Sequence, residues 1–299
     1  MKIVLNGSLG NISKLLAKML VENGHTVTVI SSRQMRQPEI EEIGAVASIG
    51  TMENIDFLTR TYAESDIVYI METLPPNAFH RADLDFIAAN TTLGKNHKEA
   101  LVNAGIKQVI HLSSVGAHTN QGIGILEFHY NIERILRELP EDVSIKFMRP
   151  VGFYNNMFGF INSIKKQGSI VSNYGGDKKE PWVSPLDIAT TIAKEIQSPF
   201  RGRTIHYIVS DEVSPNEVAS TLGKAIGKPD LKWQVIPSNQ FLNGLINSGM
   251  NARTAQGFTE MNESRVNGIL YEDYNQNRPK LGKIKIESFA EDFAKFYHS

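Results

Sequence analysis

Three stretches of the 299-residue chain combine residue types that can hold or transfer charge. In the first, Asn6-Gly7-Ser8-Leu9-Gly10-Asn11-Ile12-Ser13 lies between an apolar run and an amphipathic one. Gly7 permits a tight turn, and Gly10 lets backbone N–H groups approach a ligand with no Cβ in the way. At a helix N-terminus such a turn receives phosphate, and after a first strand it is where a dinucleotide pyrophosphate rests. The plain alternative is a glycine-rich turn with no ligand. In the second stretch, His111-Leu112-Ser113-Ser114, the hydroxyls of Ser113 and Ser114 end a strand, where they can donate to a carbonyl or a ribose; an ordinary strand-end turn would look the same. His111 reads as a packed strand residue and His118 as loop surface. The third stretch, Glu127-Phe128-His129-Tyr130-Asn131-Ile132-Glu133-Arg134, is helical. Tyr130 and Arg134 imitate a Tyr-x-x-x-Lys pair, in which a cation lowers a phenol pKa for general-acid work. His129 is either a donor to a ribose, titrating near neutrality, or a solvated helix residue.

The elements that must position these residues follow from periodicity. Strands are expected at residues 2–6, 26–30, 45–49, 67–71, 108–112 and 144–149, alternating with helical patterns, which is the grammar of βαβ units and a parallel sheet. Ile12, Leu15, Leu16, Met19 and Leu20 mark one buried helix face, stopped by Asn23-Gly24. Phe57, Leu58, Thr61 and Tyr62 suggest a weaker helix, and residues 86–103 a longer one ended by Gly105. Beyond Pro150 the grammar changes, so the expected division is a dinucleotide-binding domain over 1–150 and a smaller substrate-side part over 151–299, some of whose segments return to the sheet. Residues 168–181 read as irregular. Ser214-Pro215-Asn216-Glu217 is a capping box opening a helix that closes at Gly227, and Ser184-Pro185-Leu186-Asp187 repeats the pattern. Residues 247–280 are polar with few apolar anchors and read as a mobile stretch or a lid.

The end of the second strand bears on the choice of dinucleotide. Ser31-Ser32-Arg33-Gln34 offers no acid for ribose hydroxyls, whereas Arg33, with Ser32 beside it, suits a 2′-phosphate through a permanently charged bidentate donor. NADP(H) is therefore expected over NAD(H). Arg36 is a second phosphate contact or a solvated loop charge. Composition narrows the remainder. Lys plus Arg number 31 against 32 Asp plus Glu, with no basic cluster, which argues against a nucleic-acid partner. There are no cysteines, so thiolate chemistry is excluded. His25, His80, His97 and His206 are isolated, so no metal site is expected. No apolar stretch approaches the roughly 20 residues of a membrane span, and Met1-Lys2 leads straight into Ile3 with no leader pattern, so a cytoplasmic protein acting on a small molecule is expected. The oligomeric state is left open.

Together, Gly7-x-x-Gly10, Arg33, the run from Val109 to Ser114, the helix from His129 to Leu136, and Arg149-Pro150-Val151-Gly152-Phe153-Tyr154-Asn155-Asn156 resemble the NmrA-like group of atypical short-chain dehydrogenases, in particular its type 2 quinone oxidoreductase and triphenylmethane reductase branch. The resemblance covers nearly the whole chain. It implies an α/β fold, a Rossmann-type doubly wound parallel sheet with a smaller C-terminal α/β part, and a substrate between them. It implies that Gly7, Ser8, Leu9, Gly10, Asn11 and Ile12 cradle the pyrophosphate and that Met71, Glu72, Thr73 and Leu74 border the adenosine ribose and pyrophosphate. Pro150, Val151, Gly152 and Phe153 would border the nicotinamide, with the acceptor against Phe153, Tyr154 and Asn155. In this register the usual catalytic lysine falls on His129 and the usual tyrosine on Ile125, which makes Tyr130 a decoy. The implied chemistry is direct hydride transfer to a quinone or another planar acceptor, with no dedicated acid from this helix; from the residues themselves, His129 and Ser114 are the candidate catalytic residues. Ser13 replaces a third glycine, and Gly50 stands where many relatives carry an acid or amide. The group also contains redox-sensing proteins that bind the dinucleotide without turnover. A sugar-nucleotide epimerase or dehydratase is less favoured, because that chemistry needs the missing Tyr and Lys.

Overall fold

The computed structural model describes residues 1–75 and 77–299. Six short β-branched runs fold as the strands β1 (Lys2–Leu5), β2 (Thr26–Ser31), β3 (Val46–Ile49), β4 (Ile67–Ile70), β5 (Gln108–Leu112) and β6 (Ser144–Pro150). Between them lie the helices α1 (Ser13–Glu22), α2 (Gln37–Glu42), α3 (Ile55–Tyr62), α4 (Phe86–Asn103) and α5 (Glu127–Leu136). The second half adds β7 (Gly152–Phe153), α6 (Ile161–Gln167), β8 (Ser169–Ser172), β9 (Glu180–Val183), α7 (Pro185–Gln197), β10 (Arg203–Ile208), β11 (Asp211–Val213), α8 (Pro215–Ala225) and β12 (Lys232–Val235). The helices α9 (Ser238–Asn247), α10 (Ala252–Asn267), α11 (Glu272–Gln276) and α12 (Ile286–His298) close the chain.

The central sheet has seven parallel strands in the order β10-β6-β5-β4-β1-β2-β3. Strand β10 is its seventh member, so the chain beyond residue 150 returns to the sheet through α7 and β10. Both faces are covered, as a parallel sheet requires. On one face Leu16, Ala17 and Leu20 of α1 pack with Ile188, Ile192 and Ile196 of α7. On the other, Leu58, Tyr62, Leu101, Ile132 and Leu136 pack from α3, α4 and α5. The strand order reverses between β1 and β4, and the crevice beyond the carboxyl ends of those strands is where ligands of open α/β sheets bind.

The smaller part carries a three-stranded sheet, β11-β9-β7, and the pair β12-β8. Its core is aromatic: Phe289 and Phe293 of α12 meet Val218 and Leu222 of α8, with Tyr154 and Trp182 beneath. Two expectations need correction here. Residues 168–181 contain β8 and the start of β9, so the glycines join strands and do not make the whole segment irregular. Residues 247–280 form α10 and α11, with Thr254, Thr259, Asn262, Arg265, Leu270, Tyr271 and Tyr274 buried. The segment looked unanchored because much of its buried face is polar and is held by hydrogen bonds, such as Asn262 Nδ2 donating to Asn173 Oδ1 at 2.8 Å.

Candidate functional site

At the end of β1 the chain turns sharply. Gly7 has φ +91°, and a Cβ there would stand 2.4 Å from Met71 Sδ, so only glycine fits. Ser8 follows in the left-handed region at φ +53°, a strain of about 1–3 kcal/mol for a non-glycine residue. It is held by its N–H donating to Ile30 O at 3.0 Å and its hydroxyl donating to Ser31 Oγ at 3.0 Å. Ser13 is buried, and its hydroxyl donates to Asn6 O at 3.1 Å, tying α1 to β1 where a third glycine was expected. No acid occupies the first turn of α1, and no side chain caps it. Among the described residues, the N–H groups of Asn11, Ile12 and Ser13 donate to no protein acceptor. Free N–H groups, the positive end of a helix and an overdetermined turn make an anion receptor.

The turn opens on a cavity of about 580 Å³ lined by Gly7, Ser8, Leu9 and Gly10, by Ser32 and Arg33, and by Thr73 and Leu74. Asn11 and Ile12 lie just outside it, at the head of α1. The Arg33 backbone is anchored, its N–H donating to Ser31 Oγ at 3.2 Å, while its exposed guanidinium has no partner among the described residues. Arg36 also lines the cavity but is paired with Glu39, which Lys14 and Arg36 together draw below the ordinary carboxylate range. Gly50 is explained sterically: a Cβ there would come within 2.5 Å of the Phe57 ring, so no acid or amide fits. Thr51, Met52 and Glu53 complete the wall and carried no motif by which the sequence could have marked them.

Beneath the carboxyl ends of β4 and β5 lies a buried polar cluster that the sequence did not assemble. Glu72 Oε2 meets His111 Nε2 at 3.2 Å, both side chains fully buried. Asn6 Nδ2 donates to the Tyr62 hydroxyl at 2.8 Å, and that hydroxyl contacts His97 Nδ1 at 2.8 Å. Glu72 Oε1, His97 Nε2, His111 Nδ1 and His129 Nδ1 are buried without a protein partner. Burial presses the Glu72 carboxyl upward, but His111, with His97 and His129 behind it, draws it below its ordinary value. Burial pushes His97 down to about 4 and His129 down to about 3, with Glu72 opposing both. His129, its ring tilted against that of Phe128 with centroids 3.9 Å apart, is therefore a neutral hydrogen-bonding group at pH 7, in place of the near-neutral titration expected for it.

A second buried network holds α5 against β6. Arg149 Nε and Nη2 each donate to Glu133 at 2.8 Å, and Arg149 Nη1 donates to Asp273 at 2.9 Å and to the Tyr207 hydroxyl at 3.1 Å. The Ser113 hydroxyl donates to Glu133 at 2.6 Å. Ser113 is thus turned behind the sheet edge, and only Ser114 of the pair keeps a hydroxyl with no partner among the described residues.

The NmrA-like family model matches residues 1–291. The chain belongs to the NmrA-like family. It is also similar in fold to solved structures of low sequence identity. The NADPH-dependent quinone oxidoreductase QOR2 of Escherichia coli, complexed with NADPH, is 15% identical with a TM-score of 0.79, covering 97% of this chain and 99% of that one. The Citrobacter sp. triphenylmethane reductase complexed with NADP(H) is 16% identical with a TM-score of 0.75, covering 97% and 99%. A nucleoside-diphosphate-sugar epimerase from Staphylococcus aureus is 13% identical with a TM-score of 0.79, covering 97% and 100%.

In this NmrA-like chain the other expected site residues fall in several places. Met71 is under Gly7, and Glu72 points into the buried cluster, so of residues 71–74 only Thr73 and Leu74 reach the cavity. Pro150 and Val151 are buried, and Gly152, Phe153 and Asn155 are half-buried beyond the end of β6. Tyr154 is fully buried, stacked 5.1 Å from Phe289, so it belongs to the core and not to an acceptor face; the alternation of β7 and the following turn sends it inward. Ile125 is buried, and Tyr130 lies on the outer face with its hydroxyl 3.4 Å from Arg134 Nη1, away from the sheet edge. His118 is half-buried with both ring nitrogens enclosed, and is not the surface residue expected. No helix among the described residues is long and apolar enough to cross a membrane.

Proposed function

We propose that this chain is a cytoplasmic NADP(H)-dependent oxidoreductase that passes hydride to a planar, quinone-like acceptor. The observation that carries this reading is the pairing of an anion-receiving turn at Gly7–Ser13 with an unpartnered Arg33 at the end of a second strand that offers no acid. The residues fit the dinucleotide: the N–H groups of Asn11 and Ile12 would bind the pyrophosphate, and the Arg33 guanidinium with the Ser32 hydroxyl would bind the 2′-phosphate. When bound, the nicotinamide supplies the hydride. His129, neutral, would donate or accept a hydrogen bond on the ribose or nicotinamide side, and Ser114 would offer its hydroxyl at the end of β5. Phe153 and Asn155 would flank the acceptor. Support comes also from the family and from fold neighbours described as complexes with NADPH and NADP(H).

A second reading, a dinucleotide-sensing protein without turnover, is favoured by one observation: Ile125, a buried aliphatic residue, stands where the resemblance puts the proton-donating phenol. Stopped-flow oxidation of NADPH across a panel of quinones and triphenylmethane dyes separates the two. Acceptor-dependent turnover supports the reductase; tight NADPH binding with no turnover on any acceptor rejects it in favour of the sensor.

A further inference from the structure

Two guanidiniums line the same end of the cavity, and they stand in opposite states. Arg33 and Arg36 belong to a single turn after β2, in which the Arg36 N–H donates to Arg33 O at 3.0 Å, and both line the cavity beside Ser32. The Arg33 guanidinium has no partner among the described residues. Arg36 is engaged, but through one nitrogen: its Nη1 donates to Glu39 Oε2. Glu39 stands in the first turn of α2, three residues further on, and its other oxygen, Oε1, accepts from Lys14 Nζ at 2.8 Å. Lys14 opens α1 directly after the glycine turn, its N–H donating to Gly10 O at 3.1 Å, so the carboxylate is held from both sides of the cavity mouth. The Arg36 and Glu39 side chains are 40% and 33% exposed, and an ion pair so open to water is weak enough to be exchanged for a stronger anion.

We propose that Glu39 tunes the choice of dinucleotide by competing with the 2′-phosphate for Arg36, keeping that guanidinium when the coenzyme lacks the phosphate and releasing it when the phosphate is present. The inference deepens the NADP(H) reading above and rests on it. Release does not strand the carboxylate, because Oε1 keeps Lys14 when Oε2 loses Arg36. The incoming anion is also the better partner: a phosphate accepts two parallel bonds from a guanidinium, whereas Glu39 takes only one from Arg36. Charge balances as well. Within this group Arg33, Arg36 and Lys14 against Glu39 leave two positive charges, and a phosphate monoester carries about −1.5 to −2 at pH 7. With NADH nothing draws Arg36 away, so the pair stays closed and affinity does not depend on it.

The test is calorimetric titration of NADPH and NADH into the full chain and into Glu39→Gln, Arg36→Ala and the double variant. Glu39→Gln should tighten NADPH by roughly two- to fivefold, the strength of an exposed ion pair, and leave NADH unchanged. Arg36→Ala should weaken NADPH and leave NADH unchanged. In that background Glu39→Gln should add nothing, since no guanidinium is left to release; the cycle isolates the coupling of the two side chains. Unchanged or weakened NADPH binding in Glu39→Gln, an equal gain for NADH, or the same gain with and without Arg36 would each overturn the proposal, the last by showing a diffuse effect of charge. Any of these results, with NADPH still bound, would leave the dinucleotide reading standing. No NADPH binding by the unaltered chain would overturn both.

Discussion

Acid should destabilise this protein well above the range in which carboxylates titrate, and His129 should account for a definable share of the loss. In the folded chain burial holds His97 down at about 4 and His129 at about 3, so both stay neutral through pH 5.5. In the unfolded chain each titrates at about 6.5, so the unfolded state binds more protons and stability falls as pH drops through that value. Integrating from pH 7.5 to 5.5 gives about 1.4 kcal/mol for each such histidine, roughly 2.7 kcal/mol for the two. Burial also lowers His25, His118 and His206, which adds loss of the same sign. Glu72 is held below its ordinary value, so its contribution is present above about 4.3 and lost only below it, outside this window. The comparison is therefore made between the natural chain and His129→Gln by urea unfolding at both pH values. The variant should lose about 1.4 kcal/mol less than the natural chain over the same interval. Equal losses would show that His129 is not a neutral, enclosed imidazole, and would remove the reason for treating it as an uncharged donor.

Three further outcomes follow from the geometry. Gly7→Ala should destabilise the fold by about 1–3 kcal/mol, through its positive φ and the contact with Met71, and abolish dinucleotide binding; a melting curve and a calorimetric titration check both, and retained affinity would mean the turn is not the cradle. Arg33→Ala should weaken NADPH by roughly 10- to 150-fold, the loss of charge-assisted bonds worth about 1.5–3 kcal/mol, and leave NADH and thermal stability nearly unchanged; equal loss for both cofactors would remove Arg33 from the 2′-phosphate. Tyr154→Phe should leave KM and kcat for any acceptor unaltered, because the ring is enclosed and its hydroxyl makes only a 3.5 Å contact with Ile284 O; a tenfold change in either would return Tyr154 to the acceptor face.

The parts of the fold that the sequence made legible are those governed by periodicity. The buried stripe of α1, the βαβ alternation and the capping box at Ser214 reported their own boundaries, because each is a local pattern. Strand β10 was harder to place, since its exposed Thr204 and Ile205 hide its edge position in the sheet. The turn at Gly7 and the availability of Arg33 were readable, one from a backbone demand and the other from the missing acid. Which of Ser113 and Ser114 faces outward was not, because it depends on Glu133 arriving from α5. The same limit applies to Tyr154, which packs under a helix more than 130 residues later, and to His129, whose neutrality comes from burial rather than spacing.

The most direct measurement is isothermal titration of the full chain with NADPH. A single site with micromolar affinity, at least tenfold tighter than NADH, is the expected result. No detectable heat with NADPH, NADP+ or NADH at millimolar concentration would contradict the assignment of the Gly7–Ser13 turn and Arg33 to a phosphorylated dinucleotide.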